Sequence, residues 1–246
     1  MSDNVSYLDP TAMREAVWMV IRVLDYETTG DDPATAQVCE YGYCDLTVPL
    51  KQIGPPISRL CYVPSMPPQA RSVHHIAQSD CAGQLPFDPH EVHGENVYAF
   101  AAHNADFEQA FTQADVPFIC TYKAALRIWP DAPSHSNGAL RYWLEDQGKI
   151  APQHRLTQPA HRAGPDAHVT AHLLLAMLKA DVSVADLIRW SGEPKLMPRC
   201  PIGKFRGEPW SAVEFGFLQW MVRNTDMDAD LKWNARREIE RRQRGG

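Results

Sequence analysis

Residues 17–27 read VWMVIRVLDYE, and Thr28, Thr29 and Gly30 follow. The run is rich in Val, Ile and Leu, polar sequence precedes it, and it stops at turn-forming residues. That pattern predicts a buried central strand, Val17–Glu27, ending in a turn. Side chains alternate along a strand, so Asp25 and Glu27 share one face at its end. Two neighbouring carboxylates repel one another unless cations lie between them. Hard divalent ions such as Mg²⁺ favour an all-oxygen surrounding completed by water and phosphate. Taken alone, the pair also reads as acidic residues marking the point where a strand surfaces.

Working outward, Val38–Val48 reads as the hairpin partner of that strand and Ile57–Val63 as a third strand, closed by the Pro-rich stretch Pro64–Pro68. Val97–Ala102 and Val116–Cys120 are short apolar strands. Apolar spacing at Phe107, Ala110 and Phe111 predicts a helix within Asn104–Ala114. Gly138–Gln147, Asp166–Leu178 and Val182–Trp190 follow as helices, with Pro165 placed to start the second of these. Strands first and strand–helix alternation later predict an α/β fold with a mixed sheet flanked by helices. Gly192–Pro201, with Pro194, Pro198 and Pro201, reads as a linker. It leads to a small module, Ile202–Asn224, and a polar C-terminal helix. The expected organisation is therefore an N-terminal extension over 1–16, a core domain over 17–191, and a linker with a small basic module over 192–246.

The chain has 246 residues, 44% hydrophobic and 22% charged, as in ordinary globular proteins. Its longest apolar runs, Ala16–Ile21, Val97–Ala102 and Leu173–Leu178, are too short to cross a bilayer. Met1–Pro10 lacks a basic-then-apolar signal pattern. A cytoplasmic location with no membrane partner is the expectation. Six cysteines stand without any C-x-x-C pair, which predicts reduced buried thiols and excludes a zinc ribbon. The net charge of −6 is unevenly spread. From Lys195 onward 11 Lys and Arg face 7 Asp and Glu, whereas the rest carries 13 against 23. An acidic core with a basic tail suits a site that takes cations and phosphates, although a solvated terminal helix has the same composition.

Two more stretches carry chemistry. His103-Asn104-Ala105-Asp106-Phe107-Glu108 follows a strand, with Asn104 as the expected helix N-cap and two acids in the first turn. His161-Arg162-Ala163-Gly164-Pro165-Asp166 is a loop entering a helix, where a histidine can serve as general base near neutral pH. His168 and His172, four residues apart, have zinc-binding spacing but no clear third ligand. Phe205, Trp210, Phe215, Phe217 and Trp220 read mostly as the core of the small module. Lys204 and Arg206, between Gly203 and Gly207, are candidates for phosphate contact.

In this order, D-x-E-T-T-G from Asp25, A-H-N-A-x-F from Ala102 and H-x-A-x-x-D from His161 resemble the motifs of the DEDDh (DnaQ-like) 3′–5′ exonuclease family. The resemblance runs from about Val20 to Ala180. The stretch Phe118–Pro130, and Gly203–Gly207 with Gly216–Trp220, look like the exonuclease X branch of that family. The resemblance implies an RNase H-like exonuclease fold, a central mixed β-sheet flanked by helices with a small C-terminal module. It further implies that Asp25, Glu27, Glu108 and Asp166 hold two Mg²⁺ ions, with Mn²⁺ as a substitute, and that His161 is the general base. Thr28, Thr29, His74, His103 and Asn104 match segments that line the pocket for the terminal nucleotide. DNA with a free 3′ end, single-stranded or overhung, is the implied substrate and 5′-mononucleotides the product. RNA stays open, because sugar preference depends on contacts to the 2′-hydroxyl.

One position departs from the pattern. The family places Asp directly after the Phe of the second motif, where this chain has Glu108 and carries Asp106 before Phe107 instead. Two residues apart on a helix is about 200° around the axis, so the two acids cannot easily serve one site. Alignment favours Glu108. Three alternatives remain open on the sequence: a 3′–5′ exoribonuclease, a polymerase-proofreading subunit, and a nucleic-acid-binding protein that has lost catalysis.

Overall fold

The computed structural model describes residues 19–245. The expected N-terminal extension, and the first two residues of the expected first strand, lie outside the described residues. β1, Met19–Thr28, is the centre of a six-stranded mixed sheet. It pairs antiparallel with β2, Val38–Val48, and parallel with β5, Val97–Ala102. β3, Gln52–Ile53, and β4, Ile57–Leu60, both pair with β2, and β6, Phe118–Cys120, extends the sheet beyond β5. Buried on both faces, β1 reads in the sequence as a continuous apolar run.

Its two faces enter two cores. Ile21 and Val23 join Cys44 and Leu46 of β2 beneath α5, Ala163–Lys179. Leu24 and Tyr26 face the opposite core with Tyr41, Val92 and Phe100. Period-two alternation therefore carries Asp25 and Glu27 onto the side that α5 covers. The α5 side is completed by α3, Thr121–Ile128, α4, Asn137–Asp146, and α6, Val184–Ser191, whose Ala124, Leu140 and Leu187 are fully buried. α2, Asp106–Thr112, follows β5 at the same end of the sheet as Asp25 and Glu27. Side chains gathered where parallel strands end are well placed to meet a ligand.

Two helices differ from the sequence reading. α1, Pro68–His74, starts at the last proline of the stretch Pro64–Pro68 and covers residues to which the sequence reading assigned no element. Proline is tolerated in a first helical turn, and the seven residues bury only Ala70 and His74, too few to show a period. α3 follows β6 without a gap, Cys120 serving as its N-cap, so strand and helix signals run together. Asn104 is also not the cap of α2: that position is Ala105, and Asn104 stands one residue earlier at φ 92°. The third strand stops at Leu60, where Cys61 N–H turns to the Cys39 carbonyl.

Beyond α6 the chain builds a small core of Cys200, Val213, Leu218 and Met221, closed by α7, Phe215–Arg223, and α8, Ala229–Arg244. Phe205, Trp210 and Phe217 pack on it, whereas Phe215 and Trp220 are exposed. The stretch read as linker is pinned along α8. Asn234 accepts from Met197 N–H and donates to the Lys195 carbonyl, and Asp230 accepts from Lys195 N–H. All six cysteines are free and buried. No helix among the described residues is long and apolar enough to cross a membrane.

One glycine decides how closely α5 approaches. Gly42 is the β2 partner of Asp25, and a Cβ there would lie 2.3 Å from the Ala163 carbonyl carbon and the Gly164 nitrogen. Both are main-chain atoms, so the helix itself would have to move. Gly42→Ala should destabilise the protein by about 1–3 kcal/mol, read as a lower urea midpoint at constant slope. An unchanged midpoint would show that α5 is not seated on this glycine.

Candidate active site

The site is assembled where α5 begins. Asp25, Glu27 and Asp166 each bring one carboxylate oxygen within 4.8 Å of the others. Strand alternation sets the first two side by side, and the close approach at Gly42 brings the first turn of α5, with Asp166, against them. Among the described residues this is the one cluster of three or more acidic, His or Cys side chains with metal-holding geometry.

Glu108 reaches the same region from α2. The residue is 6% exposed, and its Oε2 is buried with no hydrogen-bond partner among the described residues. A buried carboxylate oxygen left without a donor is costly unless something absent from the chain completes it. Asp106, two residues earlier, points elsewhere: it is exposed, and its Oδ2 lies 3.5 Å from Lys123 Nζ.

The electrostatics follow from this crowding. Burial, then the charges of Asp166, Glu27 and Glu108, push Asp25 well above the usual carboxylate range. Burial, then Asp166 and Glu40, raise Glu27 to about 8 against the opposing Arg162. Burial also takes Glu108 to about 8, with Glu27 and Asp106 adding to it. Asp166 is raised chiefly by burial, while His161 N–H, which donates to Oδ2 at 2.9 Å, works the other way.

Glu40 is the exception, and sequence reasoning missed it. It sits opposite Glu27 on β2, 1% exposed. Arg162 donates to it through Nε at 2.8 Å and Nη2 at 2.7 Å, Ala163 N–H at 3.0 Å and Ser58 Oγ at 2.8 Å. Burial alone would raise it, but these donors outweigh that and hold the carboxylate below its ordinary value. Glu40 thus caps α5 from another strand, since the helix has no side-chain cap of its own. The sequence signal was slight: Glu40 is one of two acids, with Asp45, inside the strand Val38–Val48.

His161 is exposed, at φ 57°, five residues before Asp166. The other expected site residues are placed differently from one another. Thr28 Oγ1 donates to the Gly30 carbonyl and Thr29 Oγ1 accepts from Gln37 N–H, so both hydroxyls shape the turn after β1. His74 is 2% exposed, its Nδ1 accepting from Ile76 N–H and its Nε2 3.8 Å from Cys39 Sγ. His103 has both ring nitrogens engaged within the protein, Nδ1 with Thr121 Oγ1 and Nε2 with the His135 carbonyl. Burial lowers its pKa to about 4. His74 and His103 are therefore framework rather than open contacts, because neither ring has a nitrogen turned to solvent. Asn104 is exposed. Lys204 and Arg206 are exposed on the C-terminal module, where Lys204 pairs with Glu214 at 2.9 Å. His168 and His172 stack edge-on at 4.8 Å, and His168 Nδ1 lies 3.6 Å from Cys44 Sγ. No third ligand completes a zinc site there among the described residues.

With this geometry in hand, the class is defined: the chain has the RNase H-like fold of the DEDDh 3′-exonucleases. Among solved structures it is similar to Exonuclease X in complex with 5′ overhanging duplex DNA, at 28% identity, with 70% of this chain and 99% of that chain covered and a TM-score of 0.58. It shares its fold with E. coli exonuclease I bound to single-stranded DNA, at 16% identity, 70% and 42% coverage and a TM-score of 0.53. The nuclease domain of 3′hExo, a DEDDh family member bound to rAMP, matches at 15% identity, 67% and 94% coverage and a TM-score of 0.50. No family model and no curated protein sequence matches the chain.

Two outcomes follow. Asp25, Glu27, Glu108 and Asp166 all have folded-state values above their unfolded ones. Their contribution to stability is complete below the unfolded values and is lost as pH rises toward about 8. Chelator-treated protein should melt at lower temperature at about pH 8 than at about pH 5, and Mn²⁺ should raise Tm more at the higher pH. A Tm that climbs over this range without metal would contradict the assigned shifts. Glu40→Gln should keep the fold, yet weaken Mn²⁺ binding about 10–100-fold in a thermal-shift titration by loosening the start of α5. Wild-type affinity in that variant would make Glu40 a bystander.

Proposed function

We propose that the chain is a divalent-metal-dependent 3′–5′ exonuclease that hydrolyses phosphodiester bonds from the 3′ end of DNA and releases 5′-mononucleotides. The observation that carries this reading is the convergence of Asp25, Glu27 and Asp166 within 4.8 Å, with the partnerless oxygen of Glu108 buried beside them. Four acids raised by burial and, beyond it, by neighbouring carboxylates are a poor resting arrangement without cations, and an all-carboxylate donor set suits Mg²⁺ or Mn²⁺. The fit of donor chemistry is therefore good.

Bound there, two such ions would supply an acidified water and a counter-charge for the departing 3′-oxygen. The chain's own residues do the rest. Asp25 and Glu27 hold position because they are part of the central strand. Asp166 is held by His161 N–H and by the seating of α5 on Glu40 and Gly42. His161, exposed beside Asp166, takes the proton of the attacking water. Glu108 provides the fourth carboxylate in place of the family's Asp, its extra methylene reaching from α2. Thr28 and Thr29 order the turn next to the carboxylates, where the terminal nucleotide is seated together with Asn104. His74 and His103 brace that pocket from behind. Lys204 and Arg206 meet phosphates further along the strand.

The likeness to a solved Exonuclease X bound to DNA supports DNA over RNA. The test is incubation with Mg²⁺ or Mn²⁺ and DNA labelled at either the 3′ or the 5′ end, with a matched RNA strand in parallel. Mononucleotide should leave the 3′ end, and Asp25→Ala should abolish release while the fold persists. Full activity in Asp25→Ala would end this reading, and tight binding without turnover would favour a non-catalytic protein. Glu108→Gln should cost about 100-fold or more in rate and Asp106→Asn little. The reverse ranking would move the fourth ligand to Asp106.

A further inference from the structure

The carboxylate site leaves the seam between the core and the C-terminal helices unused. There α3 and the residues after it face α8 across a cavity of about 740 Å³. Five arginines line it, Arg127 from α3 and Arg236, Arg237, Arg241 and Arg244 from α8, against two glutamates, Glu238 and Glu240. Steps of four, four and three residues set Trp233, Arg237, Arg241 and Arg244 on one side of α8. This is a concentration of positive charge in a chain whose net charge is −6.

Only part of that charge is neutralised. Arg241 is bound to the buried Glu238, and Arg244 lies 3.6 Å from Glu240. Arg236 and Arg237 form no ion pair among the described residues. Arg127 Nη2 is held by Glu193 at 2.7 Å, yet its Nε is buried with no hydrogen-bond partner. Burial lowers the Arg127 pKa, and the nearby Arg237 and Arg189 push the same way against Glu193. Like charges crowded around an open space are relieved by an anion. Half-buried Trp233 adds an aromatic face, with the Arg237 guanidinium 5.9 Å from its ring. Guanidinium groups beside an indole can hold a phosphodiester and stack a base together.

The seam also has a direction. A second cavity of about 810 Å³ shares Pro130, Met197 and Pro198 with the first, and adds Arg206, Tyr122 and His135. It ends beside the second motif: Tyr122 stacks edge-on against His103 at 5.7 Å, and the His135 carbonyl accepts from that histidine. A basic trench thus leads from α8 toward the segment that carries Glu108.

We propose that this seam is a track for the single-stranded part of a nucleic acid, gripping its backbone through Arg127, Arg236 and Arg237 and stacking a base on Trp233. The direction of the strand, with its 3′ end toward the carboxylates, rests on the exonuclease reading. Single strand is favoured over duplex because only unpaired bases offer a face to the indole.

The experiment uses the full chain carrying Asp25→Ala, in chelator, with and without Arg236→Glu and Arg237→Glu. Both arginines are exposed, so circular dichroism and Tm should not change. The dissociation constant for a fluorescein-labelled twenty-nucleotide oligothymidine should rise about tenfold or more, and the slope of log K against log salt should fall by about 1.4. Affinity for a four-nucleotide oligothymidine, too short to occupy both the trench and the carboxylate end, should stay within about twofold. Unchanged affinity for the long strand, or an equal loss with a blunt duplex, would overturn the track. If that happens while the wild-type chain still digests DNA from its 3′ end, only this inference fails. If the wild type digests nothing but the long strand still depends on Arg236 and Arg237, the track stands and the exonuclease reading fails.

Discussion

The seating of the first turn of α5 on β2 is the contact on which the candidate site depends. Gly42 removes the side chain that would hold the helix off, and Glu40 replaces the missing cap by accepting from Ala163 N–H and Arg162. Both residues lie directly across the ladder from the two acids of β1, Gly42 from Asp25 and Glu40 from Glu27. One register therefore fixes the acids and the landing place of the helix that brings Asp166. A slip of one residue would turn Asp25 and Glu27 into the opposite core.

Five carboxylates lie in this small region, and they divide into two kinds. Glu40 is fully supplied with donors and is held ionised, so it acts as a structural anion. Asp25, Glu27, Glu108 and Asp166 are raised above the ordinary carboxylate range, chiefly by burial and then by neighbouring carboxylates, and the one His161 N–H bond to Asp166 does not offset this. Their arrangement stores unfavourable charge that divalent cations relieve, which couples ion binding to the stability of the core. Sites built this way trade stability of the empty protein for function.

The stretch after α6 is bound to α8 by the Lys195 and Met197 N–H groups, which donate to the Asp230 and Asn234 side chains, and to α3 by the Arg127–Glu193 pair. Through that stretch the basic helix α8 is linked back to the core. The uneven charge along the chain becomes, in three dimensions, a cluster of acids at the start of α5 and an arginine-lined seam between α3 and α8.

Much of the core was legible in the sequence. The apolar run ending at Glu27, the hairpin partner Val38–Val48, the strand Val97–Ala102 and the long helix after Pro165 each carry a strong local period. Local pattern also put Asp25 and Glu27 on one face, and helical geometry alone separated Asp106 from Glu108. Resemblance to family motifs gathered the remaining candidates. What stayed hidden depends on contacts between segments far apart in the chain. α1 and α3 are too short or too closely joined to a strand to show a period. Glu40 and Gly42 look unremarkable until β2 meets α5, 122 residues further on at Arg162. His74 and His103 look like open polar residues until their partners, Ile76, Thr121 and His135, enclose them. The sequence by itself determined which acids share a strand face, because alternation is a local property of the backbone. Only the tertiary structure decided which other groups stand beside them and which are left without a partner, because burial and hydrogen bonding are properties of packing.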